Sequence, residues 1–436
     1  MTLRAATFVV GPWSWDAGVL ACSYRCGDVT YEERFDFGPP DRVDVVDERL
    51  ARAFDLLAVT AGVSYYKTTA APTIELASVA VADDASAQIW VGYVADLYDR
   101  GMREFRVTNA LPVPFVPEVG VGRGRRPGAV PSRDLTPSGA LVPMGGGRDS
   151  LLVAHALRGM DPVLMTVGSN PMVVDQAMAL GLGLHEVRRT LDPRLLEANR
   201  NGALNGHVPV TAINSCVAIV LAVLLGRADV VLSNERSASA PTRIVNGVEV
   251  NHQYSKSGEF EEVLRRMVER LGVPVRYFSA LRGHGELAIS ELIGRHWHDL
   301  PEFVSCNRAR VGARAATRPV WCGDCAKCRF VHLALAPFVA RSVLADRFGR
   351  DLLATDADVD AVERLLLVAD REFECLGTPD ETRTALRLAA EGDWSDVDAL
   401  VRLAERYPGP AGDRDDEADA VPVSVPSEYR ALLELL

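Results

Sequence analysis

The chain has 436 residues, 48% hydrophobic and 24% charged, with a formal net charge of −12 at neutral pH. These values suit about two or three globular domains and exclude a largely disordered chain, a collagen-like repeat or a small disulfide scaffold. So acidic a surface offers no general attraction for phosphate backbones, and the longest apolar runs fall short of the ~20 residues that span a bilayer, so neither a nucleic acid nor a membrane is an expected partner.

The first ten residues carry one Arg and lead into Gly11-Pro12-Trp13. A long apolar core with a small-residue cleavage site is missing there, so the expected location is the cytoplasm. Residues 1–130 read as an N-terminal α+β domain. Aromatic and β-branched residues predict strands at Thr7–Val10, Gly18–Tyr24 and Thr30–Phe37. Leu50, Ala53, Phe54 and Leu57 then share one face of a helix over Asp47–Thr60. Val119–Pro137, rich in Gly, Pro and Arg, reads as an exposed linker; its arginines could also form a lid or an anion contact.

Residues 138–345 alternate strand and helix. Strands are predicted at Ala140–Met144, Pro162–Val167, His185–Arg188, Ala228–Leu232 and Val275–Phe278. Helices are predicted at Leu151–Met160, Pro171–Leu180, Ala212–Leu225, Phe260–Leu271, Glu286–Ile293 and Arg329–Arg341. This alternation predicts an α/β fold with a doubly wound parallel sheet and chemistry beyond the carboxyl ends of its strands. Residues 346–436 read as a charged helical region, with helices at Ala361–Ala369 and Thr382–Ala390 and a loop over Pro408–Asp419. It carries no readable motif and is expected to close the domain.

Gly145-Gly146-Gly147-Arg148-Asp149-Ser150 follows a strand and opens a helix. Three glycines let a backbone approach a ligand without Cβ clashes. A helix start offers unpaired N–H groups to an anion. Ser150 adds a hydroxyl, and Asp149 suits a helix cap or a Mg²⁺ contact. The loop lacks the Gly-Lys-Ser/Thr of a Walker loop, and by itself equally suits tight packing.

The eight cysteines include Cys322, Cys325 and Cys328 close together, with Cys306 upstream. That crowding favours a metal site in a reducing compartment over disulfides. Four thiolates suit tetrahedral Zn²⁺; an iron–sulfur cluster takes similar ligands. Cys22, Cys26, Cys216 and Cys375 read as small buried hydrophobes. Two polar runs follow the Ala228–Leu232 strand, Ser233–Ser239 and Asn251–Ser257. Within them, Lys256 could neutralise charge on a phosphate, and His252 or Glu235 could move a proton. Any one of these residues also suits a solvated loop.

The glycine loop resembles the PP-loop of the N-type ATP pyrophosphatases, Ser-Gly-Gly-x-Asp-Ser, with Gly145 replacing the first Ser. The resemblance implies that the loop holds ATP phosphates, that Gly168 and Ser169 approach the adenosine, and that ATP is cut between its α- and β-phosphates. The cysteine pattern downstream of such a loop is similar to the 7-cyano-7-deazaguanine synthases, where zinc is structural. Taken together, Gly145–Ser150, Ser233–Ser239, His252–Ser257, Cys322–Val331, Leu333–Phe338 and Gly62–Lys67 resemble the MurL family of UDP-N-acetyl-α-D-muramoyl-L-alanyl-L-glutamate epimerases.

This resemblance implies ATP- and Mg²⁺-dependent inversion of a terminal L-glutamate in peptidoglycan precursor synthesis, with release of AMP and pyrophosphate. The chemistry is coherent. A carboxylate keeps its α-proton weakly acidic, and adenylation removes that negative charge. A base can then take the proton, and the planar enolate can be reprotonated on the other face. His252, Glu235 and Lys256 are the candidate proton carriers. Arg236, Arg308 and Arg314 could hold the anionic substrate, and residues 1–130 its uridine-sugar end. Other readings stay open: a PP-loop enzyme modifying a nucleobase or tRNA, an amide-forming ligase, or a non-catalytic nucleotide-binding protein. Net acidity weighs against tRNA, and no glutaminase stretch is apparent.

Overall fold

The computed structural model describes residues 6–38, 46–81, 83–123, 136–306, 308–310, 320–367, 373–410 and 425–433. Ten of the twelve described strands join one sheet. They are β1 (Thr7–Asp16), β2 (Val19–Cys26), β3 (Val29–Asp36), β4 (Thr73–Val81), β5 (Glu118–Arg123), β6 (Ala140–Pro143), β7 (Val163–Val167), β8 (Leu184–Thr190), β9 (Asp229–Leu232) and β12 (Arg276–Ser279). A small hairpin, β10 (Arg243–Val245) with β11 (Val248–Val250), stands apart.

The sheet order is β12-β9-β6-β7-β8-β3-β2-β1-β4-β5. The first five strands are mutually parallel, as the alternation predicts. Their side chains alternate between two cores: Leu141, Met165, Val230 and Tyr277 face one, and Val142, Leu164, Val231 and Phe278 the other. Helices Glu48–Ala61 and Val210–Leu225 cover the first face, and Arg148–Leu157, Glu286–Arg295 and Ala326–Leu335 the second. With both faces covered, these strands read as apolar runs.

Strand order reverses between β6 and β9, so the loops leaving their carboxyl ends diverge and open a crevice. The sheet does not stop at the N-terminal region. Strand β3 pairs antiparallel with β8, Phe35 opposite Arg189, and buried Glu33 receives the Arg189 guanidinium at 2.5 Å.

Two sequence expectations are corrected. Residues 119–123 of the expected linker belong to β5 (Glu118–Arg123), an edge strand parallel to β4; Val119 and Val121 pack on the core while glycines alternate with them, which masks the pattern. The rest of that stretch, 124–135, lies outside the described residues. The helix expected at Arg329–Arg341 is two helices, Ala326–Leu335 and Arg341–Phe348. Pro337 has no N–H to continue the first and disfavours helical geometry just before it. Further on, helices Asp356–Leu366, Pro379–Glu391 and Asp398–Arg406 pack onto the second core. The reciprocal capping of Thr378 and Glu381 starts the middle one, with Pro379 in its first turn. Among the described residues, no helix is long and apolar enough to cross a membrane.

Candidate active site

The glycine loop turns from β6 into helix Arg148–Leu157. Gly146 has φ +79°, and a Cβ there would press on Asn170 and Met172 at 3.2 Å. A Cβ on Gly147 would lie 3.1 Å from Ser305 Oγ. The Gly146 carbonyl is tied down by Val304 N–H at 3.0 Å. Gly147, in extended geometry, is the helix N-cap residue. Asp149 is therefore not the cap, and it faces a cavity of about 250 Å³ together with Gly145, Gly147 and Ser150. The first-turn N–H groups and the positive end of the helix dipole suit an anion there.

The loops after β9 and before helix Gly258–Arg270 bring Glu235 and Lys256 to the same cavity, and Lys327, Ser305 and Cys375 complete its wall. Arg282 holds these loops together. Its buried guanidinium pairs with Glu261 and donates to the carbonyls of Glu235 at 2.8 Å and Lys256 at 2.6 Å. Burial alone would raise the Glu235 carboxyl, but Lys256 and Lys327 outweigh it and hold Glu235 below the usual carboxylate range. Burial would lower the Lys256 ammonium; Cys375, Glu235 and Asp149 more than offset it and push Lys256 upward. The surroundings thus favour the charged form of both groups, a carboxylate and an ammonium on one cavity wall.

The four cysteines converge. All four sulfurs lie within 4.8 Å of one another, with Cys306 to Cys325 at 3.9 Å and Cys322 to Cys328 at 3.7 Å. A tetrahedral ion with metal–sulfur bonds of ~2.3 Å spaces its sulfurs by about 3.8 Å. The donor set therefore fits a metal. The cluster also shapes the cavity, because Ser305 adjoins Cys306 and Lys327 sits between Cys325 and Cys328. Lys327 Nζ donates to Glu286 Oε1 at 3.1 Å.

The family profile described as MurL N-terminal domain matches residues 2–280, and that described as MurL C-terminal domain matches residues 302–418. The chain belongs to the MurL family. Three relatives are each named UDP-N-acetyl-alpha-D-muramoyl-L-alanyl-L-glutamate epimerase. That of a Micromonospora species is 40% identical over 377 residues, 85% of this chain and 81% of its own. That of Salinispora tropica is 41% identical over 372 residues, 83% and 79% of the two chains. That of Xanthomonas oryzae pv. oryzae is 37% identical over 391 residues, 87% and 83%. No solved structure matches. The cavity of this MurL-family chain draws on both matched stretches: the glycine loop, Glu235 and Lys256 from the first, Ser305, Lys327 and Cys375 from the second.

The structure thus brings together Gly145, Gly147, Asp149, Ser150, Glu235 and Lys256. Other expected contacts fall elsewhere. Arg148 is fully buried, its guanidinium bonded to Glu286 and to Ser290 Oγ at 2.9 Å, so it braces the helix instead of facing the cavity. Gly146 shapes the turn but does not line the cavity. Gly168, whose N–H bonds Val187 O, and Ser169 also lie off the lining, linked to it through Asn170 Nδ2, which donates to Gly145 O at 3.2 Å. His252 stands one layer back. Its Nδ1 bonds Glu104, and its ring lies 4.5 Å from that of His207 and 6.4 Å from that of Phe373. Arg236 sits near Glu381 and Arg308 is exposed; Arg314 lies outside the described residues. Sequence reasoning missed Arg282, Ser305, Lys327 and Cys375. Lys327 was findable, lying inside the cysteine motif beside a predicted helix start. Arg282 and Cys375 carry no local signal.

Proposed function

We propose that this protein is the ATP-dependent epimerase of UDP-N-acetylmuramoyl-L-alanyl-L-glutamate, inverting its terminal L-glutamate to D-glutamate in peptidoglycan precursor synthesis. The observation that carries this reading is 37–41% identity, over most of both chains, to three relatives of that name. The cavity supplies a chemistry for it. The parallel sheet, its order reversal and the glycine loop at that point suit a PP-loop ATP pyrophosphatase. Gly145, Gly147 and the first turn after them cradle the triphosphate, and Ser150 adds a hydroxyl. Lys256 neutralises charge as the terminal α-carboxylate attacks the α-phosphate and pyrophosphate leaves. Asp149 would hold Mg²⁺, which would screen the phosphate charges. Glu235 keeps Lys256 in place and charged.

The acyl adenylate acidifies the α-proton, proton transfer on two faces inverts the centre, and hydrolysis of the anhydride releases AMP and the D-epimer. Cys306, Cys322, Cys325 and Cys328 would hold Zn²⁺, which in this account would be structural and would fix Ser305 and Lys327 beside the cavity. Both substrates are nucleotide-linked, which suits a cytoplasmic enzyme.

Incubation with ATP, Mg²⁺ and the muramoyl dipeptide in D₂O tests the reading. The expected product carries D-glutamate with deuterium at the α-carbon and appears with AMP. Unlabelled L-glutamate with no AMP rejects it.

A further inference from the structure

Inversion needs a proton carrier at the α-carbon whose two protonation states are both accessible near neutral pH. Glu235 and Lys256 do not fit, because each is held in its charged form by the other and by Lys327, Cys375 or Asp149. We infer that Cys375 is one of the two proton carriers, its thiol, in contact with Lys256, presented to the glutamyl α-carbon at the wall of the adenylation cavity. The inference rests on the epimerase reading above.

Three observations carry it. First, Cys375 lines the same cavity as Asp149, Ser150 and Glu235, the cavity in which adenylation is proposed. Second, it has the partners of an activated thiol. Lys256 Nζ donates to its sulfur at 3.4 Å. The His252 imidazole, which Glu104 bonds and orients, stands near it, its ring 6.4 Å from that of Phe373 two residues away. A reactive group, a basic partner and an orienting carboxylate in series are the usual architecture of an activated side chain. Third, the irregular stretch that bears it is pinned. Glu374 accepts the Lys327 N–H at 2.9 Å. Six residues beyond Cys375, Glu381 accepts from Ser237 Oγ and from the Glu286 N–H.

The surrounding charges agree. Burial pushes the Cys375 thiol up, but Lys256, His252 and Lys327 outweigh it and bring it down to about 7. The negative groups nearby, Glu235, Asp149 and Glu104, act on those cations. His252 is raised to about 9, since the nearby Cys375 and Glu104 overcome its burial. Cys26 and Cys216 show the contrast: burial raises them to about 11 and about 12.

The step balances without an oxidant or reductant. In one direction the sulfur lone pair takes the α-proton, an S–H bond forms, and the C–H electrons enter the enolate of the acyl adenylate. The second carrier then gives a proton to the opposite face. In the other direction the thiol returns its proton.

Cys375→Ser and Cys375→Ala, assayed with the full chain, ATP, Mg²⁺ and the muramoyl dipeptide, separate the steps. Pyrophosphate release is expected to continue, while α-deuterium incorporation and D-glutamate formation fall by about 100-fold or more. Iodoacetamide labelling of Cys375 is expected to titrate with a midpoint near 7, and His252→Gln should move that midpoint upward. The inference is overturned by variants that still epimerise at the wild-type rate. It is equally overturned by a loss of pyrophosphate release in variants that melt normally, or by a wild-type midpoint in the ordinary thiol range of about 8.5. A wild-type protein that forms neither AMP nor D-glutamate would instead count against the epimerase reading.

Discussion

Replacing Asp149 with alanine is expected to cut substrate-dependent AMP formation by about 100- to 1,000-fold, the range seen when one preorganised charge-stabilising contact is lost. The melting temperature should scarcely move. Asp149 lies in the first turn of the helix after the glycine loop, partly exposed, and its cap position is already filled by Gly147. Its ion pair to Arg148 is long at 3.3 Å, and Arg148 keeps Glu286 and Ser290 without it. The carboxylate does little for the fold while facing the cavity. A carboxylate among phosphates is repulsive unless a divalent cation lies between them. Pyrophosphate release from ATP plus the muramoyl dipeptide measures this, and full activity in Asp149→Ala would move the ATP site elsewhere.

Loss of the metal at the cysteine cluster should be equally damaging by a different route. Cys306 and Cys325 are buried in the second core, and Ser305 and Lys327, each adjacent in sequence to a cluster cysteine, carry cavity side chains. Without an ion, four close thiols lose the centre that their 3.7 and 3.9 Å spacings suit. Binding free energy at such sites is also folding free energy. Cys325→Ser, or prolonged chelation, is expected to remove about one zinc per chain and lower the melting temperature by about 10 °C or more. AMP formation should fall with it, because Ser305 and Lys327 lose their support. Elemental analysis with a melting curve checks this. Iron with visible-range absorbance would replace zinc by a cluster, and an unchanged melting temperature would deny the site its structural role.

What the sequence reveals follows the physics of each part. The parallel half of the sheet is legible because buried strands are apolar runs separated by amphipathic helices. Once that alternation is recognised, the loops after β6 and β9 must flank one crevice, so Asp149 and Glu235 can be expected at one site although 86 positions separate them. Lys256 comes with them through the polar run that follows. Strand β5 escapes because its valines alternate with glycines at a sheet edge. Cys375 escapes because it lies between elements, where no periodicity marks it, and only the packing of Glu374 and Glu381 brings it to the cavity. Arg148 misleads: within a phosphate-binding pattern an arginine suggests an anion contact, yet buried Glu286 claims it.

The central claim is that this cavity transfers AMP to the terminal α-carboxylate before the centre inverts. An isotope experiment tests it directly. Muramoyl dipeptide labelled with ¹⁸O in that carboxylate alone is turned over with ATP and Mg²⁺, and the AMP is analysed by mass. Hydrolysis at the acyl carbon should leave one ¹⁸O on the AMP, while label confined to the γ-carboxylate should leave none. D-glutamate formed with unlabelled AMP, with ADP, or without consumption of ATP would contradict the account.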